Sequence, residues 1–133
     1  MKAVDTNSLV QFLVNDDERQ AAVVHRLLHR HETLQEPLSV PVLVVLELLW
    51  VLEAVYEVER EEMIGSVDDL LSMAVFEFDQ QTAVRAFLIS ARNSSCDLSD
   101  LLIAHTAAAA GCEVTYPFDK KAAKSKLFEI MRD

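Results

Sequence analysis

Two glycines in 133 residues leave no material for a glycine-rich phosphate cradle, so nucleotide-binding loops and ATP-dependent chemistry are excluded. Proline is scarce as well, with three in the chain, and no repeat, low-complexity stretch or linker interrupts the sequence. The two cysteines, Cys96 and Cys112, lie far apart and form no C-x-x-C pair, which marks reduced structural thiols rather than a redox or catalytic couple. Basic residues are few: 12 Lys+Arg stand against 22 Asp+Glu, a formal net charge of -10. That is the wrong sign for gripping nucleic acid by bulk electrostatics, so a histone-like or basic-arm binder is excluded. No apolar run approaches the ~20 residues of a membrane span. The longest, residues 40–52, carries Glu47 in its middle. An acid within the first five residues, with no long apolar segment after it, predicts no secretory signal and a cytoplasmic protein.

What is present is a core: 51% of residues are apolar, and the length suits one compact domain over residues 1–133. Residues 1–4 read as a strand ending in the polar turn Asp5-Thr6-Asn7, with a short helix over 8–14. Asp16 and Asp17 are N-cap candidates for a helix whose apolar residues Val23, Val24, Leu27 and Leu28 recur at helical spacing. Residues 38–40 form a second strand. Pro41 then opens a helix over 42–55 that is apolar almost all round, predicting burial on most faces. Two more polar helices, 58–64 and 66–73, precede an alternating strand at 75–78. A helix over 81–91 and the loop Asn93-Ser94-Ser95 follow. Asp97 or Ser99 caps the next helix, which runs through the alanines to Gly111. Residues 113–116 make a fourth strand, and a lysine-rich helix comes after Asp119. Strands alternating with helices predict an α/β fold, a central parallel sheet flanked by helices on both faces. Ligands of such folds sit beyond the carboxyl ends of the strands.

Several acids then stand out. Asp5 and Asp119 each follow a strand, at the ligand-binding edge. Glu47 is the only charged residue among the thirteen of 40–52, and burying a lone carboxylate costs several kcal/mol unless it is paired, neutralised or metal-bound. Asp97 and Asp100 are three apart on one helix face, Asp97 as a natural cap and Asp100 inside the first turn, where no cap is needed. Two carboxylates ~4 Å apart repel by about 4 kcal/mol at an effective dielectric of 20. A fold that converged Asp5, Glu47, Asp100 and Asp119 would need cations. Carboxylates without His or Cys suit Mg2+ or Mn2+, and the chemistry of such sites is phosphoryl transfer.

The segments Val4-Asp5-Thr6-Asn7, Val45-Leu46-Glu47-Leu48-Leu49-Trp50-Val51-Leu52, Asp97-Leu98-Ser99-Asp100-Leu101-Leu102-Ile103-Ala104 and Phe118-Asp119-Lys120-Lys121-Ala122, in that order, cover essentially the whole chain. In them the sequence resembles the PIN-domain ribonucleases, and among these the VapC-type toxins of toxin–antitoxin pairs. The resemblance implies a PIN fold, an acidic Mg2+ site of Asp5, Glu47, Asp100 and Asp119 with Asp97 as a further ligand, and Asn7 and Thr6 orienting Asp5. It implies hydrolysis of RNA phosphodiester bonds by a metal-activated water, a homodimer and a small antitoxin partner, with Mn2+ as a substitute ion. The sequence departs from the family in one place: Pro117 stands where a Thr or Ser commonly precedes the last acid by two residues, and Thr115 is the nearest hydroxyl.

Other candidates carry less. His25 and His29 have the i, i+4 spacing of a zinc pair but lack the intervening Glu, and read as a polar helix face. His105 reads as an interface or surface residue. Trp50, Phe76, Phe78 and Phe87 read as core or dimer packing. Lys120, Lys121, Lys124 and Lys126 form either a patch contacting RNA phosphate or a solvated helix face. Two other functions fit the same acids. One is a non-catalytic PIN-like module binding a basic partner segment through its acidic pocket. The other is a phosphoaspartyl enzyme with Asp5 as nucleophile, but such enzymes want an acid two positions on, where this chain has Asn7.

Overall fold

The structure is a computed structural model that describes residues 1–117 and 127–129. By its internal contacts the chain divides into two compact units, Met1–Asp79 and Gln80–Asp133.

The first unit holds helices α1 (Thr6–Val14) and α2 (Glu18–Leu34), strand β1 (Leu38–Val40), helices α3 (Val42–Ala54) and α4 (Arg60–Ser72), and strand β2 (Phe76–Phe78). β1 and β2 pair in parallel, Leu38 with Phe76 and Val40 with Phe78. On the other side of β1, the first residues add a single parallel bridge, Ala3 to Ser39, in which Ser39 N–H donates to Lys2 O and Val4 N–H to Ser39 O. The expected first strand is thus one bridge long. The fold is α/β with a parallel sheet, two helices crossing over before each return to it.

Local chemistry sets the helix ends. The Asp17 carboxylate caps α2 by accepting from the N–H groups of Arg19 and Gln20. Gln35, in the left-handed region at φ 53°, ends it, and the buried His31 ring pairs its Nδ1 with the Glu36 carbonyl at 2.7 Å. Between α1 and α2, the Asp16 carboxylate accepts from Gln11 Nε2 at 2.7 Å and from the Tyr56 hydroxyl at 2.6 Å. The Tyr56 hydrogen bond, then that of Gln11, lowers the Asp16 pKa, and the bond to Asp16 raises that of the Tyr56 hydroxyl.

Three expectations are corrected here. Residues 58–73 hold one helix, α4, rather than two. A glycine inside a helix costs about 1 kcal/mol, too little to break it at Gly65 when Met63, Ile64, Val67 and Leu70 are buried along one face. α3 is not buried on most faces: Val45, Leu48, Leu49 and Leu52 enter the core, but Leu43 is 74% exposed and Trp50 62%. Trp50 is therefore no core residue, whereas Phe76, Phe78 and Phe87 are buried.

The second unit packs α5 (Gln81–Arg92) against α6 (Leu98–Ala109). Val84, Phe87 and Leu88 from one helix and Leu101 and Leu102 from the other are all buried. Gly111, at φ 98°, lets the chain turn after α6, and Cys112 N–H bonds back to Ala107 O. The expected fourth strand at 113–116 is the third correction. Among the described residues only Thr115 pairs, bridging Phe128 through bonds to Leu127 O and from Glu129 N–H. Glu113 and Tyr116 stay exposed and Pro117 has no N–H to donate, so the ladder does not extend. Among the described residues no helix is long and apolar enough to cross a membrane.

Candidate active site

Asp5 is positioned by the end of the first parallel chain. Val4 is buried and bonded to Ser39, and the next residue turns out of the sheet to become the N-cap of α1. Its Oδ1 accepts from both the N–H and the hydroxyl of Ser8, at 2.9 and 2.8 Å. Both bonds fall on the same oxygen, and the residue is exposed. The residue that holds the carboxylate is therefore Ser8. Thr6 is buried in the first turn and Asn7 is exposed. Asp at the N-cap with Ser three positions on is a capping spacing, and that signal was present in the sequence.

Because the pairing is parallel, Ala3, Ser39 and Glu77 share one level, and Asp5 and Asp79 each follow their paired segment at its carboxyl end. Asp79 is a residue that the sequence reading passed over, although it follows a strand just as Asp5 does. Its Oδ1 accepts from Val42 N–H at 2.8 Å. Pro41, the N-cap of α3, makes no side-chain cap bond, so Asp79 supplies the acceptor that Pro41 lacks.

That cap matters because α3 carries Glu47. Glu47 is exposed, on the same side of the helix as Leu43 and Trp50, so the argument from burial of a lone charge does not apply to it. In the other unit, Asp97 is the N-cap of α6 and its Oδ1 accepts from Asp100 N–H at 3.0 Å. Asp100 lies half-buried in the first turn, where a helix dipole favours a negative charge. Asp119, Lys120, Lys121, Lys124 and Lys126 lie outside the described residues. Among the described residues no three His, Cys, Asp or Glu side chains group closely enough to hold a metal ion. The donors available are carboxylate oxygens that solvent reaches, a set that suits a hard divalent ion better than zinc.

His105 is not a free surface residue. It is half-buried on α6, its Nε2 2.6 Å from the Ser90 hydroxyl of α5, and burial pushes its pKa down from 6.5. Both cysteines are free thiols, Cys96 buried and Cys112 exposed.

A family model described as PIN domain matches residues 2–126. No curated protein and no solved structure matches the chain.

Proposed function

The chain belongs to the PIN domain family, whose members are generally nucleases using divalent metal ions, and on that premise we propose that it is an Mg2+-dependent endoribonuclease, the toxin of a type II toxin–antitoxin pair. The whole of 1–133 then forms one PIN domain. The observation that carries the reading is the family match together with the placement of Asp5 at the carboxyl edge of a parallel sheet, where such folds bind ligands. The ion would be held by Asp5, Glu47, Asp100 and Asp119, with Asp97 contributing if it leaves its capping bond. When bound, the ion supplies a water of lowered pKa and neutralises charge on the phosphate.

The chain's own residues do the rest. Ser8 fixes the Asp5 carboxylate by two hydrogen bonds to Oδ1. Asp97 holds the first turn of α6, presenting Asp100 from a defined helix position. Asp79 secures the start of α3, and with it the helix that presents Glu47. Lys120, Lys121 and Lys124 are the proposed contacts to RNA phosphate next to Asp119. The acidic protein contacts its substrate locally, and a small antitoxin with a basic segment is the partner that the net charge favours. A homodimer follows the same family reading.

The test is cleavage of a structured RNA by the purified protein. Activity with Mg2+ or Mn2+, lost in EDTA and lost in Asp5→Asn and Asp100→Asn, supports the reading. Cleavage undiminished in EDTA sinks it. If the ion raises the melting temperature while no RNA is cut, the non-catalytic module that binds a basic segment takes its place.

A further inference from the structure

Helix α2 is an exception in an acidic chain. Its buried stripe is Ala21, Val24, Leu28 and His31. At 100° per residue, Arg19, Arg26 and Arg30 project from the opposite side within a narrow arc, spread over about 16 Å of helix. All three are exposed, and His25 and His29 flank them. This face opens onto a shallow groove of about 680 Å³ lined by His25, Arg26, His29, Arg30, Thr33 and Leu34. The His25 ring is steadied against Phe12 of α1, centroids 5.4 Å apart. Guanidinium groups bind phosphate through paired N–H donors, and each imidazole keeps one N–H donor even when neutral. The Thr33 hydroxyl donates its proton to the His29 carbonyl, so the donors on this face are guanidinium and imidazole N–H groups.

We propose that this face of α2 is an exosite for the phosphate backbone of the RNA substrate. The inference rests on the ribonuclease reading and adds to it a substrate contact on residues that the proposed carboxylate site does not use. The row of arginines suits a polyanion with regularly repeating charge. In a protein of net charge -10, a local cationic strip is what lets such a strand approach. Phosphate contacts of this kind position a nucleic acid without reading its sequence, so the exosite would serve long RNAs and leave short ones unaffected.

The experiment measures binding of a fluorescein-labelled stem–loop RNA by anisotropy across a salt series, in EDTA so that nothing is cut. Cleavage with Mg2+ is measured in parallel. Arg26→Gln/Arg30→Gln should weaken binding by about tenfold or more and flatten the slope of log K against log salt by about two, one unit per lost phosphate contact. KM should rise with kcat unchanged, and Arg26→Lys/Arg30→Lys should restore most of the affinity. The melting temperature serves as the control for folding, since both side chains are exposed. If wild-type protein binds and cuts RNA and the Gln variant matches it in affinity and slope, the exosite alone is overturned. A variant that binds RNA normally but loses binding of poly-glutamate would reassign the face to an acidic peptide. If wild-type protein neither binds nor cuts RNA, the ribonuclease reading fails and the exosite with it.

Discussion

Removing the Asp79 carboxylate tests whether one distant acid holds the start of the helix that carries Glu47. Val42 N–H is the first orphan donor of α3. Its acceptor is Asp79 Oδ1 at 2.8 Å, because the Pro41 ring carries no acceptor. Losing a capping acceptor costs typically ~1 kcal/mol, and losing a negative charge at a helix N-terminus costs a further ~0.5 kcal/mol when it is exposed to solvent. Asp79→Ala should therefore destabilise the protein by about 1–1.5 kcal/mol. In a domain of this size that is roughly a 4–6 °C fall in Tm. Asp79→Asn keeps an oxygen acceptor and loses only the charge, so its fall should be about a third as large. Calorimetry on the wild type and both variants separates the two terms. Equal losses in the two variants would show that the hydrogen bond contributes nothing. A Tm for Asp79→Ala within 1 °C of wild type would refute the cap.

What could be read from sequence depended on how local the deciding physics is. Asp17 capping α2, Asp97 capping α6 and Pro41 opening α3 are short-range effects, and each stands where its residue type places it. The Asp5 position followed from a strand running into a polar turn, and the same logic applied to residues 75–79 would have found Asp79. Its acceptor role was beyond reach, since Val42 is 37 residues away. α3 shows the limit of hydropathy. A helix apolar almost all round gives little periodicity to say which face is left uncovered, and so Leu43 and Trp50 on the solvent side looked the same as Leu48 and Leu49 in the core. For α4 the local signal misled: Gly65 reads as a break, and only the tertiary burial of Met63, Ile64, Val67 and Leu70 outweighs it. The fourth strand failed for a related reason, because a strand is defined by its partner and Thr115 finds one only in Phe128. The fold class and the sheet-edge acid were thus legible. Asp79's bond to Val42 comes from three-dimensional placement, whereas the Asp5–Ser8 cap is a local spacing.

Two further outcomes follow from particular side chains. Gly65 sits inside α4 with nothing within 4 Å of the place where a Cβ would project. Gly65→Ala should then stabilise the protein by about 1 kcal/mol, roughly 4 °C in Tm by thermal melting; a lower Tm would mean that the helix is strained there. His105 gives a pH dependence whose sign is fixed by its burial. Its folded pKa lies below the 6.5 of an exposed histidine, so the unfolded chain takes up a proton more readily than the folded one. The stability that neutral His105 contributes is complete above pH 6.5 and is lost as the pH falls through the folded pKa. Urea midpoints at pH 7.5 and pH 5 should differ less in His105→Gln than in the wild type, because glutamine cannot take up the proton. The Ser90 hydroxyl gives the same conclusion a second readout. A neutral Nε2 can accept its proton at 2.6 Å, whereas an imidazolium must donate instead. Ser90→Ala removes the hydrogen-bond partner but leaves the burial that depresses the pKa, so it should lower the midpoint at both pH values and leave the pH dependence in place. If Ser90→Ala abolished the pH dependence, the hydrogen bond and not desolvation would be its cause.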